Sequence, residues 1–137
     1  MMKAKSLKQF SKKEIASLFD RWNKSLKSGD PDQVVKNYAK NSILLATLAN
    51  KPRLTVAEKK SYFKFFLINK PVGKINYRKI EVGYDTAVDA GIYTFTFAKT
   101  GAAVKARYTF TYRLYKNKWL ITSHHSSRMP ENKVKYE

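Results

Sequence analysis

Between residues 74 and 127 the chain runs as four stretches rich in β-branched and aromatic residues: KINYRKIEVGY (74–84), AVDAGIYTFTFA (87–98), AVKARYTFTYRLY (103–115) and KWLITSHHSS (118–127). The gaps hold Asp85-Thr86, Lys99-Thr100-Gly101 with one further residue, and Lys116-Asn117. Turns so short join only antiparallel neighbours, because a parallel crossover needs about a dozen residues or more. The second half of the chain is therefore expected to be a four-strand antiparallel meander. Gly91, inside the second stretch, predicts a bulge that lets the sheet curve.

The first half reads as helices. Ser11 and Glu14 form a capping box, and behind it Ile15, Leu18, Phe19, Trp22 and Leu26 share one helical face. Gly29 is placed to end that helix in the left-handed region, and Asp30-Pro31 opens a second, shorter one with Val34, Val35 and Tyr38 on its apolar side. NSILLATL (41–48) is expected to be a strand. Thr55 and Glu58 make a second capping box, opening a helix with Tyr62, Phe63, Phe66 and Leu67 that closes before Lys70-Pro71. Helix, helix, strand, helix and meander make an α+β fold in which helices cover one side of a curved antiparallel sheet. The expected layout is a basic flexible tail at 1–10, one domain at 11–131 and a C-terminal tail at 132–137.

Alternation sorts the faces of the strands. Tyr108, Phe110, Tyr112 and Leu114 point one way, toward the helices, and Arg107, Thr109, Thr111 and Arg113 the other. Tyr93, Phe95 and Phe97 are likewise expected inside. In the last strand Leu120, Thr122, His124 and Ser126 share one face, while Trp119, Ile121, Ser123, His125 and Ser127 share the opposite one. Apolar residues on both faces suggest that both are covered, the outer one by another subunit. The two histidines then project to opposite sides and do not make a metal site.

Charge limits the classes of partner. The 137 residues carry 28 Lys+Arg against 10 Asp+Glu, a formal net charge of +18. Such an excess attracts polyanions, so weak non-specific nucleic-acid binding is expected. No RNA-binding aromatic motif, zinc finger or bZIP-like basic helix points to a specific one. No apolar run reaches the roughly 18–20 residues of a membrane span, so no membrane partner is expected. The chain is expected in the cytoplasm unless a leader preceded it. There is no cysteine, which excludes disulfides and thiolate metal sites.

Two stretches, ILLATLANKPRLTVAEKKSYFKFFLINKPVG and ARYTFTYRLYKNKWLITSHHSSRMPE, resemble the bacterial relatives of the calcium/calmodulin-dependent protein kinase II association domain. These relatives belong to the SnoaL-like, nuclear-transport-factor-like superfamily. The likeness runs from about Glu14 to Glu131, and its more specific parts are YFKFFLINKPVG and WLITSHHSSRMPE. It implies a cystatin-like cone that assembles through its open sheet face, as a dimer or a larger ring, here with no kinase domain or calmodulin-binding segment among these residues. It also implies that the kinase hubs carry inward arginines on three strands as an anion site. Tyr93, Phe110 and Ser126 stand at the matching positions, so the arginine forks that hold a carboxylate are missing.

These readings define the candidates. A ligand pocket is expected to be lined by Tyr93, Tyr108, Phe110, His124 and Ser126, with His124 and Ser126 at its mouth. An oligomer interface is expected at Arg107, Thr109, Trp119, Ile121 and His125. The leading expectation is a self-assembling hub-like domain whose partner is itself, with a small molecule as a second partner and no cofactor. The first rival is a SnoaL-like enzyme, of isomerase, cyclase or hydrolase type, using His124 as acid/base beside Tyr108 or Tyr112. No inward carboxylate is identified to orient that histidine, since the facing of Glu81 and Asp89 is ambiguous, and a structural His124 is the favoured reading. The second rival is a non-specific polyanion binder. Ser126 and Ser127 lack the base and orienting group of a serine nucleophile, and no nucleotide-binding signature occurs.

Overall fold

The computed structural model describes residues 9–130; positions 1–8 of the tail expected at 1–10, the tail expected at 132–137, and the domain's last residue, 131, lie outside the described residues. Helix α1 (Lys12–Lys27) starts at Ser11, whose hydroxyl accepts from the Glu14 amide at 3.0 Å while the Glu14 carboxylate accepts from the Ser11 amide at 2.8 Å. The chain leaves α1 through Gly29 at φ +69°, in the left-handed region where a side chain would be strained. Asp30 caps the short helix α2 (Pro31–Val35). This helix ends earlier than its apolar pattern suggests. Tyr38 already belongs to strand β1 (Tyr38–Leu45), because the Asn37 carbonyl is taken by the Ile121 amide at 2.8 Å and the chain joins the sheet there. Helix α3 (Val56–Phe66) opens on the Thr55–Glu58 box and runs into a 3₁₀ turn at Leu67–Asn69.

The meander follows as β2 (Pro71–Val82), β3 (Thr86–Phe97), β4 (Ala103–Tyr115) and β5 (Lys118–Arg128). Sheet order is β1-β5-β4-β3-β2, antiparallel throughout except that the edge strand β1 runs parallel to β5. Lys116 and Asn117 both take positive φ, 45° and 69°, the signature of a two-residue turn whose twist matches that of its strands. The extra residue between β2 and β3 is Asn76, not Gly91, for the register slips between Ile75 and Tyr77. Gly91 lies across from that slip, and a Cβ there would stand 1.9 Å from the Tyr77 carbonyl oxygen. Its role is close backbone approach beside the bulge.

A second irregularity corrects the facing of β5. Phe110 pairs with His124 and Thr111 with Ser123, but Tyr112 pairs with Ile121, so Thr122 is the odd residue. Its hydroxyl donates to the Thr111 carbonyl at 3.1 Å. One inserted residue reverses the alternation. Trp119 and Ile121 consequently point to the same side as His124, with exposures of 7% and 0% inside the protomer's own core. Phe10, assigned from sequence to the tail, packs edge-on over Trp119 at 5.1 Å between ring centroids. The argument that Trp119 and Ile121 need a second subunit to cover them therefore fails.

The core lies between α1, α2, α3 and the concave face of the sheet. Ile15, Phe19, Trp22, Phe63, Tyr93, Phe110 and Tyr112 are all at or below 2% exposure. Asp89 points inward too and is fully buried. Arg78 reaches it with Nη2 at 2.7 Å and Nε at 3.3 Å, and Tyr108 donates its hydroxyl at 2.8 Å. A buried carboxylate is tolerated when it is paired and hydrogen-bonded in this way. Glu81 is exposed.

Candidate functional site

A cavity of about 360 Å³ opens between α3, the 46–48 segment after β1 and the concave sheet. Trp22, Leu44, Tyr62, Phe63, Tyr93, Phe95, Ala106 and His124 are its buried lining, and exposed Leu48, Phe65 and Arg128 stand at its edge. That size falls within the roughly 300–1,000 Å³ of small-ligand sites, which are likewise apolar with a few placed polar groups. Here those groups form one hydrogen-bonded chain. Trp22 Nε1 donates to the Tyr38 hydroxyl at 3.1 Å, and that hydroxyl meets His124 Nδ1 at 2.8 Å. His124 Nε2 meets the Tyr93 hydroxyl at 3.2 Å. Tyr93 donates to Ser126 Oγ at 2.6 Å, and Thr47 donates to the same oxygen at 2.8 Å.

The direction of the chain follows from its ends. Indole Nε1 can only donate, so the Tyr38 oxygen accepts from it and spends its own proton on Nδ1. His124 must then carry its proton on Nε2 and donate it to Tyr93, which passes its own to Ser126. Ser126 Oγ accepts twice, leaving its hydroxyl hydrogen as the donor this network offers to the cavity. The imidazole is clamped as well, stacked on Phe110 at 4.0 Å and edge-on to Trp22 at 5.5 Å.

Electrostatics agrees with a neutral ring. Burial, with a smaller contribution from His125, depresses His124 to about 3. Burial also raises the Tyr38 and Tyr93 hydroxyls above the ordinary tyrosine range, although Trp22 and Ser126 act against it. With both nitrogens engaged by tyrosines that stay protonated, His124 has no free base position toward the cavity. Asp89 does not reach it, being committed to Arg78 and Tyr108. The ring sits beside Tyr38 and Tyr93, not beside Tyr108 or Tyr112 as the acid/base reading supposed.

Of the five residues expected to line a pocket, the cavity brings together Tyr93, His124 and Ser126. Tyr108 and Phe110 are not in its lining. Phe110 backs the imidazole and is covered by Phe19 and Trp22 of α1, while Tyr108 is turned to Asp89. His124 lies at the floor, not the mouth, at 3% exposure. Sequence reading missed Tyr38 and Thr47 as partners; Tyr38 escaped because the helical period was extended through it. Arg107, Thr109 and His125 lie on the outer sheet face, where Arg107 and His125 are exposed and Thr109 is half-buried. Trp119 and Ile121 are not there. Among the described residues no three His, Asp or Glu side chains are placed to hold a metal ion, and no helix is long and apolar enough to cross a membrane.

Residues 11–130 match the calcium/calmodulin dependent protein kinase II association domain family. The chain belongs to that family. A solved structure from Xanthomonas campestris bearing the same family designation is 46% identical to it, with a TM-score of 0.86 over 90% of this chain and 91% of the other. A protein of unknown function with a cystatin-like fold from Nostoc punctiforme, 18% identical, superposes with a TM-score of 0.74 over 88% and 92% of the two chains. An association-domain relative from Thiobacillus denitrificans, 15% identical, gives 0.68 over 84% and 94%. The last two speak for the fold alone. No curated protein matches the chain. This association-domain chain thus has a cystatin-like, nuclear-transport-factor-like fold with a heavily aromatic interior.

Proposed function

We propose that this chain is a self-assembly domain that pairs with copies of itself through the convex face of its sheet and keeps a small-ligand cavity under its helices. The observation that carries the reading is the composition of that face. Val88 and Ala90 of β3 pair with Thr111 and Thr109 of β4, Ile92 continues the row opposite Arg107, and these five apolar and threonine side chains are all half-exposed, with no helix over them among the described residues. Lys79 and Arg107 flank this strip, and Arg113 and His125 stand beyond it. An apolar centre with a polar rim is the anatomy of a protein interface. Membership of a family named for association supports the same reading.

Val88, Ala90, Ile92, Thr109 and Thr111 accordingly form the centre of the contact, with Arg107 and His125 at its edge. Sedimentation at tens of micromolar and moderate salt is expected to give a dimer or a larger closed assembly. Ala90→Arg, which sets a charge in the middle of the strip, should shift it to monomers without loss of the folded signal. A monomeric parent protein under those conditions would overturn the proposal.

A further inference from the structure

A second cavity, also of about 360 Å³, lies on the far side of α1 from the aromatic one, where the α1–α2 joint meets the β4–β5 turn. Its lining is Arg21, Lys24, Lys36 and Lys118 with Ser25, Ser28, Gln33 and Asn37, so it holds four cations and no carboxylate. Arg21 is half-buried and fixed: Nε donates to Asn37 Oδ1 at 2.9 Å and Nη2 to the Trp119 carbonyl at 2.8 Å. Asn37 is itself held by Ser25 Oγ at 3.1 Å and the Val34 carbonyl at 2.9 Å. Two of the five guanidinium N–H donors are thereby used. Among the described residues none of the four cations forms an ion pair with a carboxylate. Desolvation lowers the Arg21 pKa, with the Tyr112 phenol acting against it and no carboxylate beside it. A guanidinium withdrawn from water needs compensating negative charge. The negative C-terminal ends of α1 and α2 account for Lys24 and Lys36, but not for Lys118 on the hairpin.

We propose that this groove is a binding site for a small multivalent phosphate-type anion of about diphosphate size, gripped by the preorganised Arg21 fork and closed over by Lys24, Lys36 and Lys118. Four cations suit a ligand of roughly three to four negative charges, which two phosphoryl groups supply. The planar fork suits phosphate oxygens, and the Gln33 side-chain amide adds a neutral donor at the rim. The site is separate from the aromatic cavity and independent of assembly through the sheet.

The test is titration of the full chain with inorganic pyrophosphate, orthophosphate and chloride at matched ionic strength, read by calorimetry. Saturable binding of one pyrophosphate per protomer is expected, tighter than orthophosphate and absent for chloride. Because Arg21→Gln endangers the fold through Asn37, the deciding variant is Lys36→Gln/Lys118→Gln. Each lysine should contribute up to about fivefold, so the pair should weaken binding by about tenfold. Lys64→Gln/Lys99→Gln, exposed on α3 and the β3–β4 turn, removes the same charge elsewhere and should leave affinity within about twofold. No saturable binding, or equal weakening by both pairs, would overturn the assignment. So would a short single-stranded oligonucleotide that displaces pyrophosphate at equal phosphate concentration, since the groove would then track a nucleic-acid backbone.

Discussion

His124 shows how burial decides what a residue can do. In an unfolded chain its imidazole would titrate near 6.5; in the fold, sealed between Phe110 and Trp22, it is held to about 3. The folded pKa lies below the unfolded one, so the unfolded state binds the extra proton first. The neutral ring's advantage is complete above pH 6.5 and is withdrawn as pH falls from there toward 3. The loss is at most about 1.4 kcal/mol for each pH unit in that window. Denaturation of the parent protein between pH 7.5 and 4.5 should show this slope. His124→Phe keeps an aromatic ring on Phe110 and should be less stable at pH 7.5, because it strands the Tyr38 hydroxyl hydrogen at a cost of about 1–3 kcal/mol. Its stability should also fall less steeply with acid than the parent's. An equal slope in both proteins would mean that the acid sensitivity arises elsewhere. Sequence placed this histidine inside and its neighbour outside, yet could not see the clamp. Tyr38 and Thr47 approach from β1 and the loop behind it, and no spacing rule ties residues 86 and 79 positions apart.

At the scale of elements, what could be read from sequence was whatever is enforced locally. Both capping boxes, the Gly29 exit and the Lys116-Asn117 turn lie where side-chain chemistry placed them, because each answers a backbone demand within a few residues. The two bulges were not legible in that way. Nothing in LITSH marks Thr122 as supernumerary, and alternation carried through it put Trp119 and Ile121 on the wrong face; the partner strand, not the strand itself, fixes such a slip. Gly91 did signal an irregularity, but the extra residue sits across from it, at Asn76. A glycine tolerated for closeness and one needed for its φ respond differently to substitution. Gly91→Ala drives a Cβ to 1.9 Å from the Tyr77 carbonyl oxygen, which β2 can relieve only by shifting. A loss of about 2–3 kcal/mol is expected. Gly101→Ala, at φ +79° with open space around it, should cost about 1–2 kcal/mol from backbone conformation alone. Urea midpoints with unchanged m-values distinguish the two.

For the whole molecule, assembly and charge pull against each other. The convex face proposed for pairing is edged by Lys74, Lys79, Lys105, Arg107 and Arg113, with Glu81 as its acidic exception. Each protomer brings a formal charge of +18 to the encounter. Like charges brought face to face cost several kcal/mol when unscreened, whereas the apolar contact of Val88, Ala90 and Ile92 does not depend on salt to first order. The Debye length shrinks from about 30 Å at 0.01 M salt to about 8 Å at 0.15 M, so salt removes the repulsion before it touches the attraction. Dimer affinity should therefore strengthen by about tenfold or more between those concentrations, the reverse of an assembly held by ion pairs. Sedimentation equilibrium across a sodium chloride series reads this directly. Arg107→Ser/Arg113→Ser, which thins the charge at the edge of the face, should tighten the low-salt dimer while leaving the high-salt one nearly unchanged. If salt weakens the assembly instead, complementary charges hold the subunits together, and the Val88–Ala90–Ile92 strip is not the contact.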